Sequence, residues 1–388
     1  MKNFKIGTIS DIPIYLNLTL VLFLPVLAWL ISRPEQIDVY ADLIESLAGH
    51  SIDRTALEGG NTPLVIGAAS AVGLMVGVLI HELGHSWAAR RYDIVISSIT
   101  LWIFGGMARM EELPEDWHIE FWVALAGPVT SVLLSGVFFG ALQFTPADAP
   151  VLTFVVGWLA VVNLSLAVFN LIPAFPMDGG RILRALLARR QPYATATQRA
   201  ARLAKILAVF GAIVALLGGA PLLIIIALFV YVAASSESRA VMMRELLRGF
   251  TATDLMTRDA PTVSSETSVS AFIERVFEER ETVFPVVDGD TLVGIVTLDQ
   301  ARAVAGADRE DTTVGNVMDA NPATIGADLE AFEVILTMNE QGVDRLLVAE
   351  DGHFVGIVTG AGVVSAIQVL QGVAPTTEPE PEPPDGYV

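Results

Sequence analysis

The 388-residue chain is 53% hydrophobic, has a mean hydropathy of +0.57 and contains no cysteine. It is too apolar for a soluble protein of two or three domains, it cannot form disulfides, and any metal site in it must use His, Asp or Glu. Residues 1–250 carry 17 Lys+Arg against 18 Asp+Glu, and residues 251–388 carry 6 against 25. A greasy, charge-balanced front therefore precedes a soluble, acidic back that repels nucleic acid and acidic lipid.

In chain order, apolar runs near 12–31, 63–85, 121–142, 151–172, 202–218 and 220–235 predict six membrane helices, each near the ~20 residues that a crossing needs. The first run is too long for a signal-peptide core and lacks a small-residue cleavage site. The last two are joined by "GGAP" (218–221) and read as a hairpin. Basic residues cluster at Lys2 and Lys5, at Arg90 and Arg91, between Arg181 and Lys205, and at Arg239, Arg244 and Arg248. A six-span path puts all of these on one side and leaves only Arg33 and Arg54 in the opposite segments 33–62 and 143–150. That asymmetry predicts a multi-pass cell-membrane protein with both termini cytoplasmic.

Between the second and third runs, "DIVISSITLWIFGGMARM" (93–110) is rich in β-branched and aromatic residues and reads as one or two short strands. Extended backbone at membrane depth must be buried in protein or line a wet cavity. Residues 237–252 read as a polar linker after a membrane domain over 1–236. Beyond it, "DLMTRDAPTV" (254–263) matches "NVMDANPATI" (316–325), and "LVGIVTLDQARAV" (292–304) matches "FVGIVTGAGVVSAI" (354–367). Met256 to Met318 and Gly294 to Gly356 are both offset by 62 residues, so residues 253–372 hold a duplication. Its copies span about 253–305 and 315–370, each reading strand–helix–strand–strand–helix. The Pro- and Glu-rich tail 373–388 is expected to be disordered.

The chemistry concentrates in "LIHELGHSWAAR" (79–90), at the end of the second run. Positions i and i+4 share a helix face, so His81 and His85 can hold one ion, with Glu82 placed to reach a water on it. This is the H-E-x-x-H zinc arrangement. The pattern also arises by accident in soluble helices, but each ionisable residue at a bilayer centre costs about 2.5–3.5 kcal/mol on insertion scales, and a metal gives all three a reason to be there. Catalytic zinc takes three protein ligands. Asp178 is the third candidate: it follows the fourth run in "FNLIPAFPMDGGRIL" (169–183), where Pro173 and Pro176 break the helix and Gly179-Gly180 permit close backbone approach. The alternative for Asp178 is a helix cap. His118 reads as a surface residue, His50 lies in an outer loop and His353 in the soluble part. Asn170 could hold a substrate carbonyl or act as helix–helix glue, and Asn163 is a further candidate for glue; Gly127-Pro128 reads as close packing or a kink.

Together "HELGH" in a membrane helix, "FGGMAR" after it, the "AGP" of the third run and "NLIPAFPMDGG" resemble the site-2 proteases, which are intramembrane zinc metalloproteases. The repeat resembles a cystathionine-β-synthase-type (CBS) pair. The acidic, lysine-poor composition points to an archaeal, halophile-like source. The resemblance implies a polytopic α-helical membrane domain of six transmembrane helices, with the short β segment between the second and third, plus an α/β CBS-pair soluble domain. It implies zinc on His81, His85 and Asp178, Glu82 as general acid/base, and Asn170 positioning the substrate or stabilising the oxyanion. An edge strand around 97–106 would bind the unwound substrate, a transmembrane segment of a single-span or other membrane protein, in regulated intramembrane proteolysis. Such CBS pairs often bind an adenosine nucleotide; here Thr297, Asp299 and Thr359 are the candidates, although neither copy has its Asp at the expected spacing. Dimerisation through the CBS pair is the alternative role. The rival class is a CBS-regulated transporter or channel with the histidines and Asp178 along a cation path; a third is an inactive scaffold that binds no metal.

Overall fold

The computed structural model describes residues 3–49, 51–103, 105–110, 115–146, 148–370 and 372; His50 and the acidic tail 373–388 lie outside them. The chain divides into two compact units, Met1–Val241 and Met242–Val388.

The first unit opens with strands β1 (Asn3–Ile9) and β2 (Ile12–Asn17), then helices α1 (Leu18–Ile31), α2 (Pro34–Ala48), α3 (Arg54–Glu58) and α4 (Thr62–Arg90). Strands β3 (Ile96–Trp102) and β4 (Gly105–Met110) follow, then α5 (Trp117–Leu142), α6 (Pro150–Asn170), α7 (Asp178–Ala188), α8 (Tyr193–Leu217) and α9 (Pro221–Leu246). Among the described residues α4, α5, α6, α8 and α9 are long and apolar enough to cross a membrane; α1 and α2, bent by 70°, make a sixth span only if counted together.

The first expected span therefore needs correction. Residues 12–15 alternate between buried and less buried side chains, the signature of a strand. Asn17 then starts α1, its Oδ1 accepting from Thr19 N at 3.0 Å and from Thr19 Oγ1 at 2.7 Å. The 14 residues of α1 rise about 21 Å, short of a ~30 Å hydrocarbon core. Helix α2, in what was expected to be an outer segment, buries Ile37, Ala41 and Ile44 in one core with Phe154 and Trp158 of α6. Residues 237–246, expected in a polar linker, continue α9.

The sheet has order β1-β2-β3-β4, with β2 and β3 parallel and the outer pairs antiparallel. Ile12, Ile14, Ile99 and Leu101 turn one face into a core shared with Val78, Ala88 and Ala89 of α4. Strand alternation leaves Tyr15, Asn17, Ser98, Thr100 and Trp102 on the opposite face.

The second unit contains α10 (Ala252–Leu255), α11 (Val269–Glu279), β5 (Val283–Asp288), β6 (Thr291–Thr297), α12 (Leu298–Arg302), β7 (Thr324–Ile325), α13 (Ala331–Gln341), β8 (Arg345–Glu350), β9 (His353–Thr359) and α14 (Gly360–Leu370). Its sheet runs β5-β6-β9-β8-β7. The leading strand of each copy is shorter than expected: β7 has two residues, and the first copy keeps only a bridge from Val263 to Val286. The copies exchange their leading segments. Met318 packs against Gly294, where a Cβ would lie 2.6 Å from its Sδ, and Met256 packs against Gly356, with the corresponding distance 2.8 Å. Backbone bridges Asp319–Ile295 and Thr257–Ile357 reinforce each exchange. The 62-residue offset of these pairs is thus the trace of a reciprocal contact. In the first copy's core, Phe272 and Phe284 are fully buried and meet edge to face with centroids 5.3 Å apart. Phe272→Ala is expected to destabilise this unit by about 3–5 kcal/mol, measured by chemical denaturation of the full chain.

Candidate metal centre and active-site cleft

His81 and His85 sit one turn apart on α4, with ring centroids 4.8 Å apart. Asp178 is the first residue of α7, delivered by the turn after α6. Its Oδ2 lies 3.1 Å from His81 Nε2 and 3.2 Å from His85 Nε2, and the two Nε2 atoms are 3.2 Å apart. All three side chains are buried.

Which lone pairs face inward follows from the far side of each ring. His85 Nδ1 lies 2.7 Å from the carbonyl of Val123, and His81 Nδ1 lies 2.9 Å from Ser131 Oγ. A carbonyl only accepts, so His85 carries its proton on Nδ1 and presents a bare Nε2. Ser131 can accept from His81 in the same way. Two imidazole nitrogens and a carboxylate oxygen then converge in a buried space, an arrangement suited to a shared cation. Zinc with N and O ligands at about 2.0–2.2 Å in a tetrahedron separates neighbouring ligand atoms by about 3.3 Å. The observed separations fit that ion.

Two glycines make the room. A Cβ at Gly127 of α5 would overlap both imidazoles, and one at Gly106 of β4 would overlap the Glu82 carboxylate. Gly179 and Gly180 let the start of α7 pack on the backbone of residues 171–175. Glu120, Val123, Gly127 and Ser131 recur at helical spacing, so one face of α5 touches both histidines while supplying no ligand. Sequence reasoning missed this face. Its one legible signal was the helical series 120, 123, 127, 131, in which Gly127-Pro128 reads as close packing or a kink.

A cavity of about 370 Å³ adjoins the centre, lined by Glu82, Asn170, Met177, Arg181 and Gly105–Ala108, among others. Asn170 donates from Nδ2 to the carbonyl of Leu166 at 3.0 Å and lines the cavity. Asn163 is buried, donates to Leu159 O at 2.8 Å and packs where a Cβ at Gly77 would stand, so it joins α6 to α4. His118 is exposed and accepts from Trp122 Nε1 at 3.1 Å. The expected edge strand also needs correction: residues 98–102 belong to β3, which is paired on both sides, and the edge open to the cavity is β4. A polar groove of about 590 Å³ lies along the open sheet face and shares Trp102 and Met107 with the cavity.

In the second unit the nucleotide candidates serve helix starts. Thr297 Oγ1 accepts from Gln300 N at 3.2 Å, and Gln300 Oε1 accepts in return from Thr297 N at 2.8 Å. Thr359 Oγ1 accepts from Gly362 N at 3.1 Å, and Asp299 is exposed.

An H-E-x-x-H helix, a distant aspartate and a membrane-spanning helical frame define a membrane-embedded zinc metalloprotease. Residues 69–151 and 145–217 match the model of peptidase family M50, and residues 252–304 and 314–369 match that of the CBS domain. The zinc metalloprotease MJ0392 of Methanocaldococcus jannaschii is 33% identical over 77% of this chain and 84% of its own length. Rip3 of Mycobacterium tuberculosis is 35% identical over 81% of this chain and 85% of its own. The solved structure of the site-2 protease from Methanocaldococcus jannaschii is 34% identical, covers 61% of this chain and 95% of that one, and has a TM-score of 0.42. The chain belongs to peptidase family M50, the site-2 proteases, and carries a C-terminal CBS pair.

Gly→Ala in a helix interior normally stabilises by about 0.5–1 kcal/mol. Gly127→Ala is expected instead to abolish stoichiometric zinc binding with helical content unchanged, read by metal analysis and circular dichroism of the purified protein.

Proposed function

We propose that this chain is an intramembrane endopeptidase cleaving transmembrane segments of other membrane proteins, with His81, His85 and Asp178 holding one zinc ion. The observation that carries the reading is the convergence of three acceptor atoms at 3.1–3.2 Å beside a cavity that contains Glu82. Bound zinc supplies Lewis acidity and an activated water. The Glu82 carboxylate takes the proton from the attacking water and returns it to the leaving amine nitrogen. Asn170 donates from Nδ2 to the scissile carbonyl, orienting it and sharing its developing charge.

A helical substrate must unwind before its peptide bond can be reached. The outer edge of β4 offers the unwound segment backbone partners, and the adjoining polar groove accepts the hydrophilic residues that flank the membrane stretch. The basic clusters favour a topology with both termini cytoplasmic. The CBS pair regulates the protease or joins two copies of it. At the CBS pair the hydroxyls of the nucleotide candidates Thr297 and Thr359 are already engaged as helix caps. The transporter reading gives Glu82 no task beside two metal-spaced histidines.

Co-expression with candidate single-span membrane proteins tests the proposal. Glu82→Ala is expected to keep zinc and to lower cleavage by about 10²–10⁴-fold, seen as accumulation of full-length substrate. Undiminished cleavage in that variant would overturn the assignment.

A further inference from the structure

We infer that Arg184 is a positioning residue for the metal centre: its buried guanidinium seats the helix that carries Asp178 on the helix face that aims both histidines. Arg184 is 2% exposed. Its Nε donates to Glu120 Oε1 of α5 at 2.8 Å, and its Nη1 donates to Glu237 Oε1 of α9 at 2.6 Å. The guanidinium carbon stands 5.0 Å from the Phe175 ring centroid and 4.8 Å from that of Tyr193. Phe175 lies three residues before Asp178 and Tyr193 opens α8, so the cation is held by aromatic groups on both chain sides of α7 as well as by two carboxylates.

The residue reaches the metal centre through α5. Glu120 shares a helix face with Val123, which holds His85, with Gly127, which makes room for both rings, and with Ser131, which holds His81. Glu120 is 5% exposed, so its contact with Arg184 is formed away from solvent. α5 and α7 together decide where Asp178 Oδ2 stands relative to the two Nε2 atoms. Separations of 3.1–3.2 Å leave little slack, since a functional constellation tolerates displacements of only about 0.5 Å. Plain stabilisation explains the cluster poorly. A buried ion pair is often no more stable than apolar side chains of the same volume, whereas a planar fork grips two carboxylates in a fixed direction that an apolar group or a lysine does not reproduce.

The inference rests on the reading that His81, His85 and Asp178 hold zinc, and the test separates the two. Zinc affinity is measured by chelator competition on the full-length, detergent-solubilised protein, with thermal melting recorded alongside. Arg184→Lys keeps the charge and loses the fork; it is expected to weaken zinc binding about 10–100-fold, with kcat falling and KM for a membrane substrate unchanged. A purely structural role would lower the melting temperature and leave the zinc affinity of folded molecules as in the wild type. Should Arg184→Lys fail to fold, Glu237→Gln reports on the same clasp, because Glu237 is 38% exposed at its side chain and tolerates the change; a weakening of about 3–10-fold is expected, at or below the lower end of that range. Zinc affinity within twofold of wild type in the folded variant overturns the inference. Asp178→Asn serves as the control: if it too binds zinc like the wild type, the metal-site reading falls; if it alone loses zinc, only the role of Arg184 falls.

Discussion

Two imidazole nitrogens and a carboxylate oxygen are brought within 3.1–3.2 Å of one another inside a protein interior. Without a cation their lone pairs repel, and buried polar groups lacking a partner are costly. Much of the first unit can be understood as what is needed to hold that arrangement. α4 sets the two rings one turn apart. The broken segment after α6 returns the chain so that Asp178 heads a new helix. The Val123 carbonyl fixes the tautomer of His85 from behind. The Val123 contact thus leaves His85 Nε2 without a proton on the side that faces His81 and Asp178.

The surroundings of the centre divide the work. Apolar cores flank it, one between α2 and α6 and one between the sheet and α4. The β4 edge, by contrast, brings glycine backbone to the cleft, and Gly106 keeps space open beside Glu82. Glu82 and the glycines of β4 thus line the same cleft.

Much of this was legible in the sequence because ionisable residues in an apolar run are conspicuous. His81, Glu82 and His85 stand out by spacing, and Asp178 by the prolines and glycines around it. The duplication was legible through its constant offset, although the exchange of leading segments was not, since a repeat says that two copies are alike and not which parts they trade. The first apolar run misled for a physical reason. Ile, Tyr and Leu suit a bilayer and a half-buried strand alike, and only the alternation over 12–15, followed by the Asn17 cap, separates the two. The orienting face of α5 was hidden differently: Val123 acts through its carbonyl, Gly127 through the absence of a side chain, and neither role leaves a mark in residue type.

The traded methionines of the second unit have a consequence for how that unit can be cut or inherited. Each half carries, at its front, the piece that completes the other. A nick in the connection between them would not release two self-sufficient modules, and a gene that lost one half would leave the survivor with an unfilled notch at Gly294 or Gly356. Such a pair is closed on itself like two clasped hands, so it arises and persists as a couple.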